Sequence, residues 1–237
     1  MPSFIITGAR TGIGLEYVRQ LALHPDNTII ALVRNATSDM ASLDRIISDA
    51  QALVILVECD LSSSESITSL PARLPQDLGY DIVIQNAAIL LSGSYEESTL
   101  NVTPDSLRAH FETNVIGPAL LFQTLAPFLN HGAVVANITS GVGSMKMLSR
   151  GQITAQIPAY SLSKAALNML TVHQAEQLKG KAIVVCVDPG HVKTQMGGPG
   201  AVMEVEDSAK NVVATLGRLR QEDSGKFLLY NGTELPW

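Results

Sequence analysis

Tyr160 and Lys164 stand four positions apart in "PAYSLSKAALNML", residues 158–170. Pro158 followed by Ala, Leu, Ser, Lys and Met without a breaker predicts a helix. Four residues make one turn, so the phenol and the ammonium leave the same face. Such a pair can be a cation–π contact, a surface pair or a tuned acid. A free phenol, with a pKa of about 10, is a poor acid–base group at neutral pH. A neighbouring ammonium is expected to stabilise the phenolate and lower that value. Ser140, in "NITSGVGS", ends an apolar run shortly before this helix and could orient a substrate oxygen by a hydrogen bond. Reducing a carbonyl requires a hydride on carbon and a proton on oxygen. Ser140, Tyr160 and Lys164 match the proton half, which leaves the hydride to a cofactor.

The elements that must position these residues follow from the apolar pattern. The runs "SFIIT", "TIIALV", "LVILVE", "DIVIQ", "AVVANIT", "AIVVCVD" and "KFLLY" are rich in Val and Ile and nearly continuous in apolar residues. Strands covered on both faces have this character. Between them lie helical stretches near 12–22, 38–50, 62–74, 104–129, 158–179 and 206–221. The alternation predicts right-handed crossovers and an α/β, doubly wound Rossmann fold, a seven-stranded parallel sheet with helices on both faces. No repeat, low-complexity tract or linker divides the chain, so 1–237 reads as one domain. Ligands of such folds sit beyond the carboxyl ends of the strands.

The first strand ends in "TGARTGIG", where Gly8, Gly12 and Gly14 permit a tight turn and a close approach of bare N–H groups as a helix opens. That is a phosphate site, or else merely a tight strand-to-helix turn. Arg34 follows the second strand, twenty positions beyond Gly14, where an acidic residue would select NAD. A cation there, with Arg10 from the glycine turn, suits a ribose 2′-phosphate and favours NADP(H). After the third strand Asp60 is placed to accept from an adenine amino group, while Ser62 or Ser63 caps the next helix. Asn86 opens a small-residue stretch after the fourth strand that allows close approach to a ribose. Pro189–Gly190 turns the chain after the sixth, and Thr194 could reach a carboxamide.

Composition narrows the alternatives. The chain has 237 residues, 46% hydrophobic and 16% charged, with a formal net charge of −6. That acidity argues against nucleic acid or an anionic membrane surface as partner. No apolar run approaches the ~18 residues of a membrane span, and the first residues read directly into a strand with no targeting pattern. Cys59 and Cys186 each end an apolar run and read as small buried thiols, in keeping with a reducing cytoplasm. No G-x-S-x-G elbow occurs. His24, His110, His131, His173 and His191 have no metal-ligand spacing, so no metal site is expected. His191, beside the Pro189–Gly190 turn, could touch substrate or serve structure alone.

In this order and at these strand ends, the motifs closely resemble the short-chain dehydrogenase/reductase family over essentially the full length. The family's T-G-x-x-x-G-x-G is "TGARTGIG", its Y-x-x-x-K is "YSLSK", its catalytic serine is Ser140 and its P-G turn is "PGHVKT". Its catalytic asparagine matches Asn114 in "FETNVIGP". The resemblance implies catalysis by Asn114, Ser140, Tyr160 and Lys164, with Asn114 holding a water that links the lysine to solvent. It implies cofactor contacts from Gly8, Arg10, Thr11, Gly12, Ile13 and Gly14, from Arg34, Asp60, Leu61, Asn86 and Ala87, and from Tyr160, Lys164, Pro189, Gly190, Val192 and Thr194. The family's N-N-A-G is "QNAAI" here, a departure.

The long loop between Ser140 and Tyr160, with "MGGPGA" and "NGTELPW", is similar to C-factor-like and sniffer-like carbonyl reductases. This implies NADPH-dependent reduction of aldehydes or ketones, often bulky or aromatic, reached over loops at 142–157 and 195–206. Glycines and methionines in these loops suit an adaptable lid or ordinary packing. Family habit implies a homodimer or homotetramer through the helices carrying Asn114 and Tyr160. The contrasting expectation is a non-catalytic, NADP(H)-sensing regulatory or signalling protein of the same fold.

Overall fold

The computed structural model describes residues 1–91 and 93–237. Seven strands, β1 (Ser3–Thr7), β2 (Thr28–Val33), β3 (Leu53–Glu58), β4 (Tyr80–Gln85), β5 (Leu129–Ile138), β6 (Ala182–Asp188) and β7 (Phe227–Leu229), form one sheet in the order β3-β2-β1-β4-β5-β6-β7. Every neighbouring pair is parallel. The chain runs outward from β1 to β3 and then returns to β4 on the other side of β1. A crevice therefore opens between the carboxyl ends of β1 and β4, the switch point where such sheets bind ligands.

Consecutive strand residues face opposite layers, and both layers are apolar. Ile6, Ile29, Ala31, Val185 and Val187 pack with Tyr17, Leu43 and Val212 on one face. Ile5, Ile30, Leu32, Val135 and Val184 pack with Ile67, Leu121 and Leu125 on the other. This double coverage is why the runs show no polar alternation. Each fully buried Ile or Val contributes about 1.5–3 kcal/mol.

Among the described residues the α-helices are α1 (Gly12–Leu21), α2 (Ala41–Asp49), α3 (Ser64–Thr68), α4 (Pro104–Phe111), α5 (Gly117–Leu125), α6 (Met145–Ser149), α7 (Pro158–Gln177) and α8 (Val205–Leu216). The stretch expected as one helix over 62–74 divides into α3 and a 3-10 turn, Leu70–Arg73, because Pro71 brings no N–H to continue the ladder. Ser63, not Ser62, caps α3, its hydroxyl accepting from the Ser66 N–H at 3.2 Å. The long helix expected over 104–129 is interrupted by a π-helical turn, Glu112–Ile116, between α4 and α5. Pro118 gives no N–H to the Asn114 carbonyl one turn earlier, a local cause for the widened turn. Helix α6 lies within the loop expected at 142–157 and is capped by Ser144, which accepts from the Met147 N–H at 3.1 Å. Among the described residues no helix is long and apolar enough to cross a membrane.

Candidate active site

Helix α7 presents Tyr160 and Lys164 on its buried face, at the carboxyl end of β5. The Lys164 ammonium donates to the Ile138 carbonyl at 2.9 Å and lies 5.4 Å from the centre of the Tyr160 ring. The loop bearing Ser140 closes directly on this turn of α7. A Cβ on Gly143 would fall 2.8 Å from the Lys164 carbonyl carbon, so a bare backbone is required there. Just before the helix, Ile157 adopts φ 53° and ψ 53°, left-handed backbone that a β-branched residue rarely occupies. Such strain persists where the surroundings over-determine it, commonly next to a site.

Water exclusion reverses one expectation. Burial pushes the Tyr160 phenol up rather than down, reinforced by the negative charge of Asp188 and then by Tyr95. The Lys164 ammonium donates to the backbone rather than to the phenol oxygen, and burial remains the largest cause. Lys164 is itself lowered to about 8 by burial, with Asp188 acting in the opposite direction.

Asn114 sits in the π-helical turn and clamps the stretch after β4. Its Oδ1 accepts from the Ile89 N–H at 2.8 Å, and its Nδ2 donates to the Ile89 carbonyl at 3.0 Å and to Ser163 Oγ at 3.1 Å. Its own carbonyl has lost a helical donor to Pro118. One turn earlier, buried His110 performs a parallel task that sequence reasoning missed. Its Nδ1 lies 2.8 Å from the Ser106 carbonyl and so carries the proton, leaving Nε2 to accept from the Leu91 N–H at 3.4 Å. The His110 ring meets Tyr160 edge-on, with centroids 6.2 Å apart. The i, i+4 spacing to Asn114 was the available signal.

At the switch point, Gly8 has φ +68° and Gly12 has φ +58°. A Cβ on Gly14 would fall 2.3 Å from the Gly8 carbonyl oxygen. Asn86 Nδ2 donates to the Thr7 carbonyl at 3.0 Å and the Ala87 N–H to Thr7 Oγ1 at 2.9 Å, locking the glycine turn against β4. Thr11 provides no side-chain cap for α1, and among the described residues the first-turn N–H groups at Gly12, Ile13 and Gly14 receive no side-chain acceptor. Backbone donors beside side-chain-free glycines form a cradle that fits the pyrophosphate of a dinucleotide.

Arg10 and Arg34 follow neighbouring strands, and neither forms an ion pair among the described residues. Asp60 Oδ1 accepts from the Ser62 N–H at 2.9 Å and its hydroxyl at 2.7 Å, while Leu61 is buried under Gly117. Gly190 turns with φ +87°, and Val192 bridges to Met203. Thr194 folds over the glycine turn, its Cγ2 3.5 Å from where a Gly12 Cβ would stand.

Two loops frame the site. The stretch 144–146 is strapped by the chain beyond β7: Ser144 Oγ donates to the Pro236 carbonyl at 2.6 Å and the Lys146 N–H to the Trp237 carbonyl at 2.8 Å. Trp237 stacks on Phe227 at 5.5 Å. In the loop at 195–206, Tyr95 donates to the Met196 carbonyl at 3.4 Å and His191 Nε2 lies 2.8 Å from the Gly197 carbonyl. His191 thus holds this loop. Asp188 joins the two sides. Its Oδ2 accepts from Gly141 N–H and its Oδ1 from Gly190 N–H, both at 2.8 Å. Burial pushes its carboxyl up, opposed by those two donors, Lys164 and His191.

An open parallel sheet, a glycine turn at its switch point and a tyrosine–lysine helix beside it define a dinucleotide-binding α/β oxidoreductase. The model of the short chain dehydrogenase family matches residues 3–203, and the chain belongs to that family. It is similar to the C-signal protein of Myxococcus xanthus, 35% identical over 160 residues, covering 66% of this chain and 92% of that protein. The NADPH-bound carbonyl reductase from chicken fatty liver superposes with a TM-score of 0.88 at 30% identity, covering 100% of this chain and 99% of that one. The carbonyl reductase Sniffer of D. melanogaster gives 0.88 at 26% identity, covering 100% of both. The kinship suggested by the long loop and by "NGTELPW" is borne out.

Proposed function

We propose that this protein is an NADPH-dependent carbonyl reductase acting on aldehydes or ketones, bulky or aromatic ones included. The observation that carries the reading is the buried Tyr160–Lys164 pair on α7, closed over by the Ser140 loop and lying beside a glycine cradle. Likeness to an NADPH-bound carbonyl reductase supports the cofactor. NADPH held in this cradle would supply the hydride for the substrate carbon. Tyr160, kept as a neutral phenol by burial, donates the proton to the substrate oxygen. Ser140 hydrogen-bonds the same oxygen and fixes its direction. The Lys164 ammonium stabilises the phenolate left behind and returns a proton to it. The Asn114 carbonyl, deprived of a helical donor, holds the water that resupplies Lys164. Arg10 and Arg34 receive the 2′-phosphate, and the loops at 142–157 and 195–206 shape the substrate pocket.

Leu162, Met169 and Val172 are 51%, 58% and 40% exposed along one stripe of α7. That apolar face supports a homodimer formed through α7. Both cysteines are free and buried, which supports a reducing, cytoplasmic setting.

The test is NADPH consumption against a panel of aliphatic, aromatic and bicyclic carbonyl compounds, with Tyr160→Phe alongside. Turnover lost in the variant supports the reductase. NADPH binding without turnover favours the second reading, a cofactor-sensing signalling protein, which the likeness to C-signal keeps in view.

A further inference from the structure

The motifs account for Ser140, Tyr160, Lys164 and the Pro189–Gly190 turn, and leave one charged group at the centre of these residues without a role. Asp188 is the last residue of β6, and both of its carboxylate oxygens are engaged, Oδ2 by Gly141 N–H and Oδ1 by Gly190 N–H, each at 2.8 Å. One N–H donor on each oxygen favours the ionised carboxylate, as do Lys164 and His191, against the burial that pushes it up. Gly141 directly follows Ser140, and a Cβ at that position would approach Asp188 Oδ2 to 3.0 Å, so the fit admits little else. The charged and titratable groups facing Asp188 are Lys164 and Tyr160 on α7 and His191 after the turn, while Tyr95 acts on Tyr160. Its field reaches the catalytic pair, since it raises both the phenol and the ammonium.

We propose that Asp188 is a positioning residue that clamps the Ser140 loop to the Pro189–Gly190 turn and sets a negative charge beside the nicotinamide subsite, so that the cationic NADP+ ring is held more tightly than the neutral NADPH ring. The inference rests on the cofactor reading above. A carboxylate at a water-poor site discriminates between two ligands of the same shape that differ by one charge, and it does so through Coulomb attraction alone. A purely mechanical clamp would support both cofactor forms equally, because they share the pyrophosphate, both riboses and the 2′-phosphate.

The deciding experiment is titration of the purified protein with NADP+ and with NADPH separately, by calorimetry, for the unaltered chain and for Asp188→Asn. The amide keeps the size and one acceptor while removing the charge. NADP+ affinity is expected to fall about tenfold while NADPH affinity changes by no more than about twofold. Equal weakening of both forms would reduce Asp188 to a clamp and overturn the charge assignment, as would no change in either. Asp188→Ser, which retains a small oxygen acceptor, carries the same readout if the amide variant does not fold. An unaltered chain that binds neither form overturns the cofactor reading and this inference with it. One that binds both, with an unchanged ratio in the variants, overturns the inference alone.

Discussion

The Lys164 ammonium lies 5.4 Å from the centre of the Tyr160 ring, yet its hydrogen bond goes to the Ile138 carbonyl, 2.9 Å away. The lysine is thus anchored to the sheet behind the tyrosine, dry and without a carboxylate in direct contact. Burial, more than the mutual attraction of the pair, sets the protonation of both groups.

That placement has a stability cost with a defined pH window. Lys164 titrates near 8 in the folded chain against 10.5 unfolded. Between those values the unfolded state binds more protons, so stability rises as pH climbs through the window. Below about 8 both states are protonated and the full penalty remains, on the order of 3 kcal/mol. Lys164→Met is expected to abolish turnover and raise the urea-unfolding free energy at neutral pH by about 1–3 kcal/mol. A less stable variant would count against a strained, dry lysine. The pH profile of kcat/KM for NADPH, which reports the free enzyme, should decline as pH passes about 8, and a flat profile would count against a lowered lysine.

Gly14 is helical, where alanine ordinarily gains about 1 kcal/mol. Here its Cβ would meet the Gly8 carbonyl oxygen at 2.3 Å and Asn86 Nδ2 at 2.6 Å. Gly14→Ala should therefore lower thermal stability by about 1–3 kcal/mol and weaken NADPH binding at least tenfold, read by cofactor fluorescence. A variant as stable as the parent would show that the turn is looser than described.

Arg34 is exposed after β2 and without an ion-pair partner among the described residues. Arg34→Asp should shift the ratio of kcat/KM for NADPH over NADH toward NADH by about a hundredfold. A ratio that stays put would remove Arg34 from the 2′-phosphate site.

Met169 is the most exposed member of the α7 stripe. Met169→Asp is expected to convert a dimer into monomers in light scattering, leaving the thermal transition of the fold within about 0.5 kcal/mol. A parent that is already monomeric would rule out this face as the dimer contact.

The architecture was legible because it depends on local rules. The runs "SFIIT", "TIIALV" and "AIVVCVD" match β1, β2 and β6 residue for residue, since strands covered on both sides must be continuously apolar, and "LVILVE" matches β3, an edge strand whose Leu53 and Glu58 are exposed. The glycine turn and the helical offset of Tyr160 and Lys164 were legible for the same reason, as spacing alone fixes a turn or a helix face. Tertiary structure decided what surrounds them. His110 reaches Tyr160 across 50 positions of chain, and Asp188 reaches Gly141 across 47. Neither pairing has a local period to betray it. The direction of the Tyr160 shift belongs to this second category. A sequence shows that a cation stands one turn away, whereas the energy of the phenolate depends on how much water the assembled loops exclude, and only the packed fold determines that.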